Sequence, residues 1–437
     1  MPSPVEVPFY DRGVETMAPE RLRAHQWERF QALAREVFPA NPFVKKKWSA
    51  AGIRSADDLR SWDDFSKLPF SVKSELVLDQ AEHPPFGSNL TYPLERYVRI
   101  HQTSGTTGAP IRWLDTQEAW NWWARCWGFI FRGAGVSAED RIFFAFSFSL
   151  FVGFWSGFEG ARQLGALVIP SGGLDSKTRL HLMESLGATV LVCTPSYALH
   201  LIEVAKERGV DLAKLPVRIT VHAGEPGAGI PATRRRLETG WGARCYDHPG
   251  MSEVGAYGFE CVAQAGPHVI ESEFIAEVID PVTGKPAQEG ELILTNLGRH
   301  CSPIFRYRSG DRVRLSRDQC ACGRSFARLE GGILGRVDDM LIVRGVNVFP
   351  SALEGIVRQF EAVDEFQIEV FKVGELDEIR LLLEIDGGRH CSSAAGETVL
   401  AVIESVRREV RIRVEAEAVP AGRLPRYELK AKRLVRR

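Results

Sequence analysis

Short apolar runs recur near 142–146, 166–170, 189–193, 217–222 and 243–247, each separated from the next by an amphipathic stretch long enough for a crossover helix. That alternation predicts an α/β fold built on a doubly wound parallel sheet. Upstream, Leu22, Trp27, Phe30, Leu33, Ala34 and Val37 fall close to helical spacing with Arg, Glu and Gln between them, predicting an amphipathic helix over 19–38. Short helical or loop pieces follow over 48–75, where Ser55-Ala-Asp-Asp-Leu59 reads as a helix cap. After Glu260 the pattern turns β-rich: Phe274-Ile-Ala-Glu-Val-Ile279 and Glu291-Leu-Ile-Leu-Thr295 flank Thr283-Gly-Lys-Pro286, a hairpin signature. A strand, a helix (Ser351 to Gln359) and two strands (Phe366 to Val373, Glu378 to Ile385) then suggest a small α+β unit. The expected division is 1–337 for a large N-terminal domain with a β-rich subdomain and 338–437 for a small mobile one. Asp386 to Glu397, rich in Gly, Ser and charge, reads as a surface loop.

Composition narrows the class. Hydrophobic residues make up 44% and charged residues 25% of 437, ordinary for a globular protein with a large core. No apolar run reaches the roughly 18 residues of a membrane span, and the N-terminus has no signal-peptide pattern, so a cytoplasmic location and no membrane partner are expected. Fifty-five basic against 56 acidic residues give no electrostatic reason to expect nucleic acid. The basic tail Lys430 to Arg437 has no interleaved aromatics and reads as a solvated terminal strand or helix. Cysteines are spread too widely for a disulfide scaffold; Cys193 and Cys245 lie in apolar runs and are expected in the core.

Two stretches carry chemistry by themselves. Thr103-Ser104-Gly105-Thr106-Thr107-Gly108-Ala109-Pro110 combines hydroxyl donors with glycines that let successive N–H groups turn toward one anion, so it reads as a phosphate loop. It lacks the lysine of G-x-x-x-x-G-K-[ST], and a hydroxyl-rich hairpin turn is the alternative. Cys261, His268, Cys320 and Cys322 supply a Cys₃His set suited to structural Zn²⁺, against the alternative of reduced cysteines and an unrelated histidine.

Five further segments follow the loop in an order that resembles the adenylate-forming acyl-CoA synthetases, most closely the phenylacetate-CoA ligase family. They are Ala223-Gly224-Glu225-Pro226, Gly250-Met251-Ser252-Glu253, Tyr307-Arg-Ser-Gly-Asp311, Gly335-Arg336 through Pro350, and Pro425-Arg-Tyr-Glu-Leu-Lys430. The resemblance implies ATP, Mg²⁺ and coenzyme A as cofactors, and an aryl acid activated as its acyl-adenylate and then transferred to a thiol. An acyl carrier protein or an amine as acceptor, a non-catalytic nucleotide-binding protein, and a homodimer stay open. Carried over residue by residue, it places Thr103 to Gly108 on the phosphates with Thr106 catalytic. Gly224, Glu225 and Pro226 go on the nucleotide together with Gly250, Met251 and Ser252, and Glu253 on Mg²⁺. Asp311 goes on the ribose hydroxyls, Arg336 on ribose and phosphate, Asp338 at a hinge, Gly345 by the pantetheine tunnel and Lys430 on the α-phosphate. Cations and N–H donors are what such chemistry needs, since a carboxylate must approach a phosphate of like charge.

Two positions depart from the family pattern. Pro249 stands where an aromatic usually stacks on adenine, so His248 before it or another side chain would have to supply that stacking beside Pro249, and Leu429 precedes Lys430 where Gly is usual, leaving Lys432 as a rival. Related ligases share the Cys-x-Cys-Gly-Arg piece at Cys320. For the acid, Phe143 to Trp155 carries six Phe and one Trp in thirteen residues, in the segment that lines the family's substrate cavity. Phe146 and Phe148 are expected on its wall with Ala223, Tyr197 is expected nearby, and Gly153 and Gly224 leave room for a flat ring. Ser147 and Ser149 would be free to bond a ring substituent.

Overall fold

The computed structural model describes residues 7–103, 110–337, 341–343, 346–373, 376–385, 392–427 and 431–437. Strands β1 (Tyr97–Gln102) and β2 (Arg112–Thr116) form an antiparallel hairpin in which Gln102 faces Arg112. The hydroxyl-rich stretch is therefore its connection. Thr116 caps the following helix, Gln117–Ala134, and Gly135 ends it in the left-handed region.

Strands β3 (Arg141–Phe144), β4 (Leu167–Pro170), β5 (Val190–Cys193), β6 (Ile219–His222) and β7 (Arg244–Asp247) make a parallel sheet in the order β4-β3-β5-β6-β7. Every strand lies within two residues of its expected run. Helices cover both faces, so central strands such as Val-Leu-Val-Cys are buried throughout. Ile142, Phe144 and Phe146 pack with Trp127, Phe131 and Ala161 on one side, and Phe143 and Ala145 with Met183, Leu201 and Trp241 on the other. The strand order reverses between β3 and β5, the switch point where open α/β sheets bind ligands beyond their carboxyl ends.

The β-rich part contains β8 (Gly258–Phe259), β9 (His268–Val269), β10 (Phe274–Ile279), β11 (Glu289–Asn296), β12 (Tyr307–Ser316), β13 (Arg328–Leu329) and β14 (Gly335–Arg336). The β10–β11 hairpin is the one expected. The helix Pro19–Ala40 buries Leu22, Phe30, Leu33, Ala34 and Val37, and Ser55 closes a capping box.

The C-terminal part has a separate apolar core. It comprises β15 (Leu341–Val343), β16 (Val346–Val348), β17 (Val363–Val373), β18 (Leu376–Ile385), β19 (Glu415–Val419) and β20 (Leu434–Arg436), with helices Pro350–Val357 and Ser392–Glu409. Sheet order is β19-β18-β17-β20. One expectation fails here: residues 392–397 open an 18-residue helix rather than a loop. Its first residues are small and weakly patterned, and the helix is recruited by packing of Val402 and Val406 in the core. The basic tail ends as β20, parallel to β17. No helix among the described residues is long and apolar enough to cross a membrane.

Candidate active site

Several of the expected site residues follow the carboxyl ends of the parallel strands. Thr103 closes the base of the β1–β2 connection: its N–H donates to the Ile111 carbonyl and its hydroxyl accepts from the Ile111 N–H, both at 2.9 Å. Ser104, Gly105, Thr106, Thr107 and Gly108 lie outside the described residues, as do Asp338, Gly345 and Lys430. Beyond β6 come Ala223 and Gly224, the latter at φ +98°, which an L side chain rarely adopts.

Beyond β7 the chain turns tightly, with Met251 and Gly255 exchanging both backbone hydrogen bonds at 2.9 and 3.1 Å. Glu253 in this turn is buried, and its carboxylate has no hydrogen-bond partner among the described residues. Its backbone is held from the β11–β12 connection. Arg299 Nη1 donates to the Ser252 carbonyl at 2.8 Å and the Glu253 carbonyl at 3.3 Å, and Asn296 Nδ2 to the Val254 carbonyl at 3.1 Å. The rest of the Arg299 fork grips Asp115 on β2 at 2.6 and 2.7 Å, between the rings of Trp113 and Trp123. One buried guanidinium thus ties the β1–β2 hairpin to the turn that carries Glu253.

Asp311 sits within β12, not in a turn, and faces Arg336 of β14 across the ladder. Arg336 Nη1 lies 3.3 Å from one Asp311 oxygen, and the Tyr257 hydroxyl 3.5 Å from the other. The two residues expected on the ribose are therefore adjacent.

Several expectations are corrected by packing. Tyr197 is fully buried on the face of the sheet opposite Phe146, its hydroxyl 3.0 Å from Ser176 Oγ and its ring against Arg179. No room stands open over Gly153: a Cβ there would lie 2.2 Å from Phe146 Cζ, so this glycine admits the protein's own phenyl ring. Ser147 and Ser149 are exposed, because β3 ends at Phe144 and Phe148 takes φ +53° in the loop beyond. Phe146 and Phe148 do pack together, 5.4 Å apart, beside Phe151 and Phe154.

His248 offers no face for adenine stacking. Its ring lies edge-on to Trp127 at 4.6 Å, its Nδ1 is 2.7 Å from the Gly258 carbonyl, and burial holds its pKa down at about 4. Pro249 is likewise buried against Gly258. Glu225 spends both carboxylate oxygens on backbone, accepting from the N–H of Ser196 at 2.8 Å and of Ala431 at 2.6 Å.

Asp247 was not foreseen. It ends β7 beside Gly229 and Gly332, and burial, reinforced by Glu260, pushes its carboxyl up to about 7. Its position at a strand's carboxyl end was the available signal.

Cys261, His268, Cys320 and Cys322 are all buried, with their ligand atoms within 4.8 Å of one another. His268 Nδ1 lies 2.9 Å from the Phe326 carbonyl, which fixes Nε2 toward the sulfurs.

The whole chain superposes on crystal structures of 2-hydroxyisobutyryl-CoA ligase. With that enzyme in the postadenylation state bound to 2-HIB-AMP the TM-score is 0.93 at 28% identity, covering 100% of this chain and 94% of that one. With the same ligase bound to 2-HIB-AMP and CoA in the thioesterification state it is 0.74 at 29% identity, with the same coverage. Fold and site define an AMP-forming acid–thiol ligase. Residues 345–437 match the family model described as AMP-binding enzyme C-terminal domain. Phenylacetate-coenzyme A ligase of Thermus thermophilus is 33% identical over 96% of this chain and 97% of its own length, and that of Escherichia coli is 33% identical over 96% of each. The chain belongs to the phenylacetate-coenzyme A ligase family.

Proposed function

We propose that this chain converts an aryl carboxylic acid to its acyl-adenylate with ATP and then transfers the acyl group to coenzyme A. In the first step the carboxylate attacks the α-phosphorus and pyrophosphate leaves; in the second the thiolate attacks the acyl carbon and AMP leaves. The family relationship over nearly the full chain carries this reading. Thr103 to Gly108, with Thr106 as a catalytic donor, would hold the phosphates, and Asp311 with Arg336 the ribose. Glu253 is a hard oxygen donor with a free carboxylate among the described residues, as Mg²⁺ requires, and the ion would neutralise phosphate charge. The Phe146–Phe148 wall supports an aryl acid. Because Phe146 fills the space over Gly153, a small branched hydroxy acid is the second reading. A carrier protein or an amine remains an alternative acceptor.

A pyrophosphate-release screen over aryl, short hydroxy and fatty acids, with product masses determined in the presence of free coenzyme A, tests the reading. Adenylation of no acid would overturn it. We place the domain division at 337/338 with Asp338 as hinge and Lys430 reaching the α-phosphate. Lys430→Ala should then slow adenylation about 100-fold, the loss of one transition-state charge contact, and spare thioester formation from preformed adenylate. If Lys432→Ala is the damaging change, the assignment moves by two residues.

The cysteine cluster is read as a structural zinc site. Tetrahedral zinc with sulfurs at about 2.3 Å and nitrogen at about 2.0 Å separates two sulfurs by about 3.8 Å, and sulfur from nitrogen by about 3.5 Å. Cys261 Sγ lies 3.8 Å from Cys320 Sγ, and Cys322 Sγ 3.5 Å from His268 Nε2. Four protein ligands close the sphere, so the ion would pin the 320–322 loop to β9 rather than take part in chemistry. Elemental analysis should give about one zinc per chain, the complement of a single four-ligand site, and Cys320→Ser should lose both metal and thermal stability. Metal-free protein of unchanged stability would exclude the site.

A further inference from the structure

Among the described residues, polar contacts between the large domain and the chain on either side of Lys430 come largely from one helix, Pro195–Glu207. At its first turn the Ser196 hydroxyl lies 3.0 Å from Arg433 Nη2, and two turns later Glu203 accepts from Arg426 Nε at 3.0 Å. Residues seven apart share a helix face. The Ser196 N–H, one of the donors a helix start leaves without an intrahelical partner, is taken by Glu225, whose other oxygen takes the Ala431 N–H. Both arginines are anchored within the small domain, Arg426 on Glu384 at 2.6 Å and Arg433 on Glu365 at 2.7 and 3.0 Å. They reach the helix as rigid posts.

This arrangement matches the postadenylation form of 2-hydroxyisobutyryl-CoA ligase far better than its thioesterification form. We propose that Ser196, Glu203 and Glu225 form a latch that holds the segments on both sides of Lys430 in the adenylation arrangement and is let go for thioester formation. The inference rests on the two-step reading above. Contacts present in only one arrangement bias only that one, so their loss should weigh on one half-reaction. Ser196 and Glu203 are positioning residues here: neither belongs to the nucleotide-facing segments.

The test uses full-length Ser196→Ala, Glu203→Gln and the double variant. Single-turnover pyrophosphate release is measured beside thioester formation from preformed acyl-adenylate. The ratio of the first rate to the second should fall about tenfold in the double variant, the scale of losing hydrogen bonds to charged groups, and Ser196→Thr should restore its share. Equal loss of both half-reactions, or an unchanged ratio in folded double variant, overturns the latch. Those outcomes leave the functional reading intact, because wild type still adenylates; a wild type that adenylates nothing removes both.

Discussion

Arg299 and Arg433 are two buried arginines with almost the same first contact and different employment. Each grips a buried carboxylate through Nε and Nη2, Asp115 at 2.6 and 2.7 Å and Glu365 at 2.7 and 3.0 Å. Such a fork fixes direction as well as charge. What differs is the remaining capacity. Arg299 gives its last nitrogen to carbonyls in the same domain, and Asp115 has no second cation among the described residues. Arg433 gives its last nitrogen, Nη1, to Glu354 at 3.2 Å beside Glu365, and only the second hydrogen of Nη2 reaches Ser196 in the large domain, while Glu365 keeps a second partner in Arg358 at 3.2 Å. A brace whose partners all lie in one core cannot let go without unfolding, whereas a post with its charge settled at home can give up one distant hydroxyl cheaply.

The sharpest way to break the comparison is Arg299→Ala. It strands Asp115, whose side chain has no exposure, so the cost should be about 3–5 kcal/mol in denaturant unfolding. Arg299→Lys keeps the charge but not the fork, and should fold while raising the KM for MgATP, because the Glu253 turn loses its donor. A variant as stable as wild type with normal MgATP kinetics would show that the brace positions nothing.

Arg433→Ala should cost less, about 1–3 kcal/mol, because Arg358 still compensates Glu365. The pH profile sharpens this. Burial alone would raise the Glu365 pKa, but Arg358 and Arg433 hold it at about 2. A carboxylate depressed in the folded state stabilises above its unfolded pKa, near 4.5, and that contribution fades as pH falls toward 2. Removing Arg433 moves the folded pKa up toward the unfolded one, so this acid-dependent loss should be smaller and level off at higher pH. Overlapping acid limbs for the two proteins would mean that Arg433 contributes little to that charge.

The two arginines also mark the limit of what sequence pattern reveals. The parallel sheet could be read because its central strands are apolar runs buried on both faces, and the β10–β11 hairpin because its turn chemistry is local. Segments such as 250–253 and Asp311 were recognisable as motifs, and Asp311 and Arg336 are indeed neighbours across a ladder. Asp115 and Arg299 are 184 positions apart, and no local period links them. Side-chain direction was hidden for the same reason. Gly153 and Tyr197 were assigned from their places in the chain, but Phe146 and Arg179 decide what surrounds them. Glu225 lies in a recognisable segment, yet its carboxylate partners come from helix and tail, which only the fold brings together.

The smallest expected effect belongs to His101, the neutral ring beside the Arg299–Asp115 pair. It is 5% exposed and stacks on Trp120 at 5.2 Å, and neither ring nitrogen has a hydrogen-bond partner among the described residues. Burial, eased by Asp115 and reinforced by Arg299, lowers its pKa to about 4. A base with a lowered folded pKa stays neutral in the native protein and takes up a proton on unfolding. Its contribution is therefore full above the unfolded value of 6.5 and declines as pH falls toward 4. His101→Phe keeps an aromatic ring on Trp120 and removes the unpartnered nitrogens, so stability at pH 7 should hold or rise by up to about 1 kcal/mol. Between pH 6.5 and 4 the variant should lose stability less steeply than wild type, by as much as one proton's share of the slope. Parallel slopes for the two proteins would mean that His101 is already charged in the fold, and that Asp115 serves two cations rather than one.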